Sequence, residues 1–406
     1  MKLPKYLSKT ANNLILISTF ALDCLNNCHK HINYISVSGL YIHIPFCESR
    51  CIYCGFYSTT NNKEQDNYVG AICREMELRK DEAESISTVY LGGGTPSLLS
   101  PGNLHKIFHN IDNLYSPNWK AMEVTIECNP DDITSDFCSL LRDIPVNRVS
   151  MGAQTFSDDR LRFLRRRHNA KEVSIAFERL RDHGIRNISV DLMFAFPNET
   201  LDEWSDDIDK AIGLHPEHIS AYSLQYEEGT PLYRLLQKGM IREIDDELYR
   251  RMYSMLCERL KDAGYGHYEI SNFALPGYQS RHNSSYWHNI PYIGLGASAH
   301  SYSGSTRSWN VSDLHAYISA INSGYLPSER EIITPQTHYD DSVMTALRTR
   351  EGIDLSSLQE PYRSYIKRAA QTYIRQGCLQ VEDNHLALTK NGIFISDMIM
   401  ADLMWE

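Results

Sequence analysis

The sequence has no long apolar run, no excess of positive charge and no low-complexity tract. Its longest apolar stretch, residues 14–22, includes Ser18 and Thr19, whereas a bilayer-spanning helix needs about 20 apolar residues. Acidic residues outnumber basic ones by 51 to 40, giving a net charge of -11, which argues against a protein that neutralises nucleic-acid phosphates. We therefore expect no transmembrane segment and no nucleic-acid partner.

The chain also lacks the cysteine pattern of a secreted disulfide framework. Of its ten cysteines, three fall close together at Cys47, Cys51 and Cys54, and the others are scattered singly. Isolated thiols in apolar surroundings usually pack as small hydrophobic groups. This distribution favours a reducing, cytoplasmic location.

Residues 1–38 do not fit the pattern of the rest of the chain. Lys2, Lys5 and Lys9 precede the apolar stretch, as in a secretory signal, but no cleavage site of the A-x-A type follows. We interpret these residues as an N-terminal extension or the product of a misplaced start codon.

From Gly39 onward, short β-branched apolar runs alternate with amphipathic stretches, which is typical of βα units around a parallel sheet. Six strands are predicted, at residues 40–44, 87–91, 122–128, 147–154, 187–194 and 218–225. Five helical patterns separate them, at residues 66–80, 101–111, 135–142, 171–183 and 201–212. Six units fall short of the eight that close a full barrel. We predict an α/β fold with a partial (β/α)6 barrel, and a doubly wound sheet is the alternative.

The alternation of short apolar runs and amphipathic stretches ends after residue 225. One long helix is predicted over residues 243–263, and residues 265–302 have little periodicity, which predicts a loop-rich site segment. A hairpin at residues 379–389 among helical patterns predicts a smaller C-terminal domain like a winged helix. The predicted units are the extension (1–38), the barrel (39–235), the linking helix with the site segment (236–330) and the winged-helix-like domain (331–406).

Cys47, Cys51 and Cys54 follow the first strand, with three and then two residues between them. Three thiolates on one tight loop can bind a metal centre while leaving one coordination position open. A structural zinc ion would need a fourth ligand, and neither His43 nor Cys73 has a usual zinc spacing. The pattern favours a three-cysteine iron–sulfur cluster over a zinc knuckle.

Polar residues interrupt the apolar strands near their carboxyl ends, at Glu127, Gln154 and Asp191. A barrel presents its ligand-binding face at this end. One ligand that carries hydroxyls, an amine and a carboxylate explains all three better than separate structural networks do. Asp191 suits a ribose hydroxyl, and Arg166 suits a carboxylate by bidentate pairing, although the arginines on either side of it compete for that role.

The string CESRCIYC on the first loop of a partial barrel resembles the signature of the radical S-adenosylmethionine (SAM) superfamily. The resemblance implies that Cys47, Cys51 and Cys54 hold a [4Fe-4S] cluster whose free iron is chelated by SAM. Cleavage of SAM would then yield a 5'-deoxyadenosyl radical. The resemblance and the polar strand ends together assign SAM binding to Tyr41, Tyr53, Gly93, Gly94, Thr95, Glu127, Gln154, Arg166 and Asp191.

Five strings together resemble the oxygen-independent coproporphyrinogen III oxidase group, namely GLYIHIPFCESRCIYCGFY, YLGGGTP, RVSMGAQTF, VDLMFAFP and SAYSLQYEEGTPLY. In the true oxidase of that group a fourth cysteine follows the third by two residues, and Phe56 stands at that position here. The departure puts enzymatic decarboxylation in doubt and matches the HemW branch, whose members are regarded as heme chaperones. The resemblance therefore implies delivery of heme to haemoproteins, with radical oxidative decarboxylation as the alternative.

The string HNSSYW resembles the heme-binding motif of that branch. Imidazole is a common axial ligand of haem iron, and aromatic rings can stack on the macrocycle. The resemblance assigns heme binding to His282, Tyr286 and Trp287, while His288 and His300 compete for the iron and the two aromatic residues have a second interpretation as core. The expected cofactors are the cluster, SAM and heme. The expected partners are heme and recipient haemoproteins, and peripheral membrane contact and a homodimer stay open.

Overall fold

The computed structural model describes residues 39–83 and 85–405, so the predicted N-terminal extension lies outside the described residues. In this part of the chain twelve strands form one sheet, and three short strands form a second. No helix in these ranges combines the length and the apolar character that crossing a bilayer requires.

Six parallel strands lie where the apolar runs predicted them. They are β1 (Gly39–Ile44), β2 (Thr88–Gly93), β3 (Glu123–Cys128), β4 (Arg148–Gln154), β5 (Asn187–Phe194) and β6 (His218–Ser223). The helices between them are α1 (Gln65–Leu78), α2 (Pro101–Tyr115), α3 (Ser135–Asp143), α4 (Asp158–Leu164), α5 (Ala170–Asp182) and α6 (Leu201–Gly213). The six strands pair in chain order, whereas a doubly wound sheet reverses its order at a switch point. The predicted partial barrel is therefore confirmed.

Local sequence explains where several of these helices begin. Thr200 starts α6 with a capping box, in which its side chain accepts from the backbone of Glu203 while the Glu203 carboxylate accepts from the backbone of Thr200. Asn169 and Glu172 form the same arrangement at the start of α5. These caps direct the chain out of each loop at the ligand-binding end of the barrel.

The segment predicted to be loop-rich, residues 265–302, contains four short strands and one short helix joined by loops. The elements that follow β6 are α7 (Pro231–Gln237), α8 (Asp246–Asp262), β7 (Gly266–Glu269), β8 (Asn272–Ala274), α9 (Arg281–Trp287), β9 (Tyr292–Leu295), β10 (His300–Tyr302), β11 (Thr306–Asn310), α10 (Leu314–Asn322) and β12 (Ser328–Ile332). Strand β9 adds a parallel strand beside β1, with Tyr292 opposite Gly39. The other strands extend both edges of the sheet in antiparallel fashion.

The C-terminal part has its own hydrophobic core, which includes Tyr339, Val343, Ile366 and Leu386. Its elements are α11 (Pro335–Ala346), β13 (Ile353–Asp354), α12 (Tyr362–Ala369), α13 (Gln371–Arg375), β14 (Leu379–Glu382), β15 (His385–Leu388) and α14 (Ser396–Leu403). Strands β14 and β15 form the predicted hairpin. Helices around a small sheet agree with the expected winged-helix-like unit.

Candidate functional site

A cavity of about 200 Å³ opens at the carboxyl ends of the parallel strands. Parallel strands present these ends at one edge, so loops that are far apart in sequence meet there. All three predicted cluster cysteines line the cavity, as do eight of the nine predicted SAM residues: Tyr53, Gly93, Gly94, Thr95, Glu127, Gln154, Arg166 and Asp191. The predicted SAM residue outside this group is Tyr41.

The cysteine loop is anchored through its backbone. The Cys47 amide donates to the Thr59 carbonyl at 2.9 Å, and the Ile52 amide donates to the Leu164 carbonyl at 3.3 Å. The Thr95 hydroxyl lies 3.7 Å from the Cys47 sulfur. Burial raises the pKa of the Cys47 and Cys54 thiols, so both are protonated at neutral pH, and a metal centre must displace their protons when it binds.

The chemistry of the donor set fits an iron–sulfur cluster. Within residues 39–83 and 85–405, no three metal-ligating side chains are arranged around a single ion. A tetrahedral zinc site needs all its thiolates about 2.3 Å from one ion. In a cubane cluster each thiolate binds its own iron, so the Cys47, Cys51 and Cys54 sulfurs need not meet at one point.

Gly94 lets the loop after β2 lie directly against the cysteine loop. Its amide donates to the Ile44 carbonyl at 2.8 Å, and the Thr95 amide donates to the Phe46 carbonyl at 2.7 Å. A Cβ atom at residue 94 would lie 2.7 Å from the Ile44 and Phe46 carbonyl oxygens. Backbone atoms cannot move aside as side chains can, so only glycine permits this approach.

Arg166 lies between the cysteine loop and the end of β4. Its Nη1 is 3.4 Å from the Cys51 sulfur, while Nη2 donates to Asn129 Oδ1 at 2.5 Å and to the Gly152 carbonyl at 2.8 Å. A Cβ atom at residue 152 would lie 2.8 Å from Gln154 Nε2, so the small residue makes room for the side chains that cross it. The guanidinium is positioned beside both the thiols and the cavity.

Two carboxylates contribute acceptors to the cavity. Glu127 accepts from the Tyr90 hydroxyl at 2.7 Å and from the Gly93 amide at 3.0 Å, and burial raises its pKa to about 7. Asp191 accepts from the Ser150 hydroxyl at 3.0 Å, and burial raises its pKa as well. These groups can accept hydrogen bonds from the hydroxyls and the amine of a ligand.

Sequence reasoning missed Arg148 and Asn129. Arg148 begins β4, is 1% exposed, and has no hydrogen-bond partner at Nε or Nη1. Its positive charge lowers the pKa of Glu127 and Asp191 against the opposing effect of burial. The available signal was an arginine at the start of the strand pattern RVSMGAQ. Asn129 gave no such signal, because it lies in a loop. In the structure its Oδ1 accepts a hydrogen bond from Arg166.

Tyr41 contacts other residues of β1 and β2. Its hydroxyl lies 3.0 Å from His43 Nδ1, and its ring lies 6.2 Å from that of Tyr90. It does not line the cysteine cavity. Contact between Tyr41 and SAM stays a prediction.

The predicted heme motif lies at the opposite end of the strands. His282 is 1% exposed, with Nδ1 2.8 Å from the Thr88 hydroxyl and Nε2 2.9 Å from the Tyr286 hydroxyl. Burial lowers its pKa to about 3. Both ring nitrogens have partners, so binding of iron at His282 would require one of these hydrogen bonds to break.

The other residues considered for heme binding also have positions away from the cysteine cavity. Tyr286 and Trp287 line a separate cavity of about 220 Å³. His288 pairs with Glu351 at 2.9 Å, and His300 stacks on Trp309. The structure therefore does not bring the heme motif to the cysteine cavity, and its role in heme binding stays a prediction.

We expect His282→Ala to lower the free energy of unfolding by roughly 2–4 kcal/mol at pH 7.5, because it removes two buried hydrogen bonds and a packed ring. In the wild type, protonation of this histidine favours the unfolded chain, so stability falls as the pH drops from 6.5 towards 3. His282→Ala has no such histidine, so its stability does not fall for this reason. The difference in unfolding free energy between the wild type and the variant should therefore narrow by up to ~1.4 kcal/mol per pH unit below 6.5. Urea unfolding at several pH values measures both effects. A constant difference would contradict this assignment.

Comparison with known proteins places these observations in a family. Residues 41–211 match the radical SAM superfamily, and residues 333–395 match the HemN C-terminal domain. The chain is 34% identical over 378 residues to heme chaperone HemW of Bacillus subtilis, covering 91% of this chain and 100% of that protein. It is 32% identical over 378 residues to heme chaperone HemW of Lactococcus lactis, covering 91% and 98%.

The fold is similar to that of coproporphyrinogen III oxidase HemN from Escherichia coli, a radical SAM enzyme. The TM-score is 0.79 at 20% sequence identity, and the match covers 91% of this chain and 90% of that chain. This likeness concerns the architecture. Together with the relatives above 30% identity, the three-cysteine loop and the barrel, it leads to one conclusion: the chain belongs to the radical SAM superfamily, in the family of the proteins named heme chaperone HemW.

Proposed function

We propose that this protein is a cytoplasmic heme chaperone that binds a [4Fe-4S] cluster, SAM and heme, and delivers heme to haemoproteins. The observation that carries the proposal is the similarity to proteins named heme chaperone HemW over 91% of the chain. The cavity at the strand ends supports the cofactors, because three thiols and the polar groups suited to SAM line the same space.

The side chains of the cavity have distinct roles in this proposal. Cys47, Cys51 and Cys54 would hold the cluster, which when bound supplies an electron to SAM. Arg166 would orient the carboxylate of SAM, and Asp191 would accept from its ribose hydroxyls.

Phe56 favours a chaperone over an oxidative decarboxylase. It stands where the oxidase has its fourth cysteine, lines the cavity, and is 69% exposed. The chain therefore lacks the fourth cysteine that the resemblance associates with decarboxylation.

We expect the anaerobically reconstituted protein to bind heme and to leave coproporphyrinogen III unchanged. Titration with heme should produce a saturable Soret band. Incubation with SAM, dithionite and coproporphyrinogen III should form no protoporphyrinogen above a protein-free control. Phe56→Cys, which places a cysteine where the oxidase has its fourth, serves as the matched variant.

Robust turnover by the wild type would reject the chaperone function in favour of the oxidase. Failure of the wild type to bind heme would reject it as well.

A further inference from the structure

Asn129 lies in the loop that follows β3 and lines the cysteine cavity. Its side-chain amide is hydrogen-bonded on both sides. Oδ1 accepts from Arg166 Nη2 at 2.5 Å, and Nδ2 donates to the Thr95 hydroxyl at 3.3 Å. A side-chain amide combines a donor and an acceptor on one planar group. Asn129 therefore joins the loop after β2 to the segment after α4.

Both groups that Asn129 holds approach cysteine sulfurs. The Thr95 hydroxyl, which accepts from the amide, lies 3.7 Å from the Cys47 sulfur. The guanidinium of Arg166 has Nη1 at 3.4 Å from the Cys51 sulfur, while its Nη2 is held by the amide. One side chain thus fixes two donors that are directed at two of the three predicted cluster ligands.

The three consecutive arginines that follow α4 have different positions. Arg165 has a left-handed backbone conformation at the end of the helix and an exposed side chain. Arg167 pairs with Asp131 at 2.9 Å and with Asp132 at 2.7 Å. Among the three, Arg166 lines the cavity. The residue that holds its guanidinium in place therefore affects the cavity directly.

The backbone that carries Asn129 is itself held in place. The Asp132 amide donates to the Asn129 carbonyl at 3.1 Å in a short 3-10 turn over Pro130–Asp132. The Asp132 carboxylate accepts from the Ser97 hydroxyl at 2.8 Å and from Arg167 at 2.7 Å. The Asn129 side chain consequently starts from a fixed point of the loop, as a residue that orients other groups must.

Donors beside cysteine ligands act on a cluster without binding it. Hydrogen bonds to the sulfurs help to set the reduction potential of an iron–sulfur cluster. They favour the reduced state, which carries more negative charge, so their loss should make the potential more negative. Groups that orient metal ligands also affect binding, typically by roughly 10- to 100-fold when they are removed.

We propose that Asn129 is a positioning residue of the cluster and SAM site, because its amide directs the Thr95 hydroxyl and the Arg166 guanidinium at the cysteine sulfurs. Held in this way, the guanidinium is also placed to pair with the carboxylate of SAM. This inference rests on the cluster and SAM binding of the proposed function and does not depend on heme.

The test uses the full chain with its cluster reconstituted anaerobically and SAM as the probe. Calorimetry gives the affinity for SAM, and a redox titration gives the potential of the cluster. Asn129→Ala removes both hydrogen bonds of the amide, and Asn129→Leu removes them while keeping about the same side-chain size. We expect both variants to weaken SAM binding by roughly 10- to 100-fold and to make the potential more negative.

Asn129→Asp separates the two contacts of the amide. It keeps an acceptor for Arg166 but has no donor for Thr95. The affinity for SAM should therefore stay within about threefold of the wild type. The potential should still become more negative, because the donor is lost and a negative charge is added.

Asn147→Ala is the matched control. The Asn147 side chain also makes two hydrogen bonds, accepting from the Val124 amide at 3.0 Å and donating to the Met122 carbonyl at 2.8 Å. These contacts lie at the amino ends of β3 and β4, away from the cavity. The variant should leave both the affinity for SAM and the potential unchanged.

Wild-type SAM affinity or a wild-type potential in folded Asn129→Leu would overturn the assignment. Asn129→Ser, whose side chain is one bond shorter, repeats the measurement if that variant fails to fold. Equal losses of SAM affinity in Asn129→Asp and Asn129→Ala would also refute it, because the acceptor would then not matter. A wild type that forms no cluster or binds no SAM would instead reject the cofactors of the proposed function.

Discussion

Cys51→Ala is expected to give a folded protein without the brown colour that the proposed cluster should give the wild type. Cys51 lies on a rim loop that is held by backbone hydrogen bonds from Cys47 and Ile52, and its sulfur lies 3.4 Å from Arg166 Nη1. Removing the sulfur therefore leaves the loop in place while deleting one of the three proposed cluster ligands. Affinity for SAM should fall on the order of 100-fold, because the iron that would chelate it is lost.

Iron and sulfide analysis of anaerobically purified protein measures this effect, with thermal unfolding as the test of folding. Cys378→Ala is the matched control, since that thiol is partly buried in the C-terminal part, away from the cavity. It should retain full iron and sulfide. Stoichiometric cluster in Cys51→Ala, or zinc without sulfide in the wild type, would refute the ligand assignment. Loss of soluble protein would refute the structural argument.

Arg148→Met should weaken SAM binding by roughly tenfold near pH 7 and shift its pH dependence upward. The buried guanidinium lowers the pKa of Glu127 and Asp191, and burial alone would raise both further. Without it, a larger fraction of each carboxyl is protonated at neutral pH and accepts hydrogen bonds less well. A shift of one pKa unit corresponds to about a factor of ten in the ionised fraction, so affinity should recover as the pH rises.

Calorimetry of SAM binding to the cluster-loaded protein, from about pH 6 to pH 9, follows this shift. Arg148→Lys keeps the charge and should retain a pH curve close to that of the wild type. A loss of affinity in Arg148→Met that is equal at every pH would show that the arginine acts through packing alone.

Much of the barrel could be predicted from local patterns. Apolar runs marked all six strands of the βα units, because buried parallel strands require them. The cysteine spacing, the glycine run and the polar strand ends identified nine residues of the cavity lining, since each follows a recognisable strand, while Tyr53 came from the family resemblance and Arg166 from its suitability for a carboxylate.

Local patterns failed where long-range pairing supplies the structure. Residues 265–302 are rich in polar and aromatic groups and show little period, yet they include β9, which pairs with β1. Because β1 satisfies the backbone hydrogen-bonding groups of β9, the residues of β9 need no strong intrinsic preference for the β conformation. Arg148 was missed for a related reason: its burial depends on the surrounding barrel, which one strand does not reveal.

The order of residues along the chain by itself determined the βα repeat and placed the cysteines and the acceptors at strand ends, because side-chain periodicity and loop position are local properties. Tertiary structure decided which candidates meet. It gathered the thiols around one cavity and gave both nitrogens of His282 partners at the far end of the barrel. The cause is that burial and hydrogen bonding depend on neighbours that only the folded chain brings together.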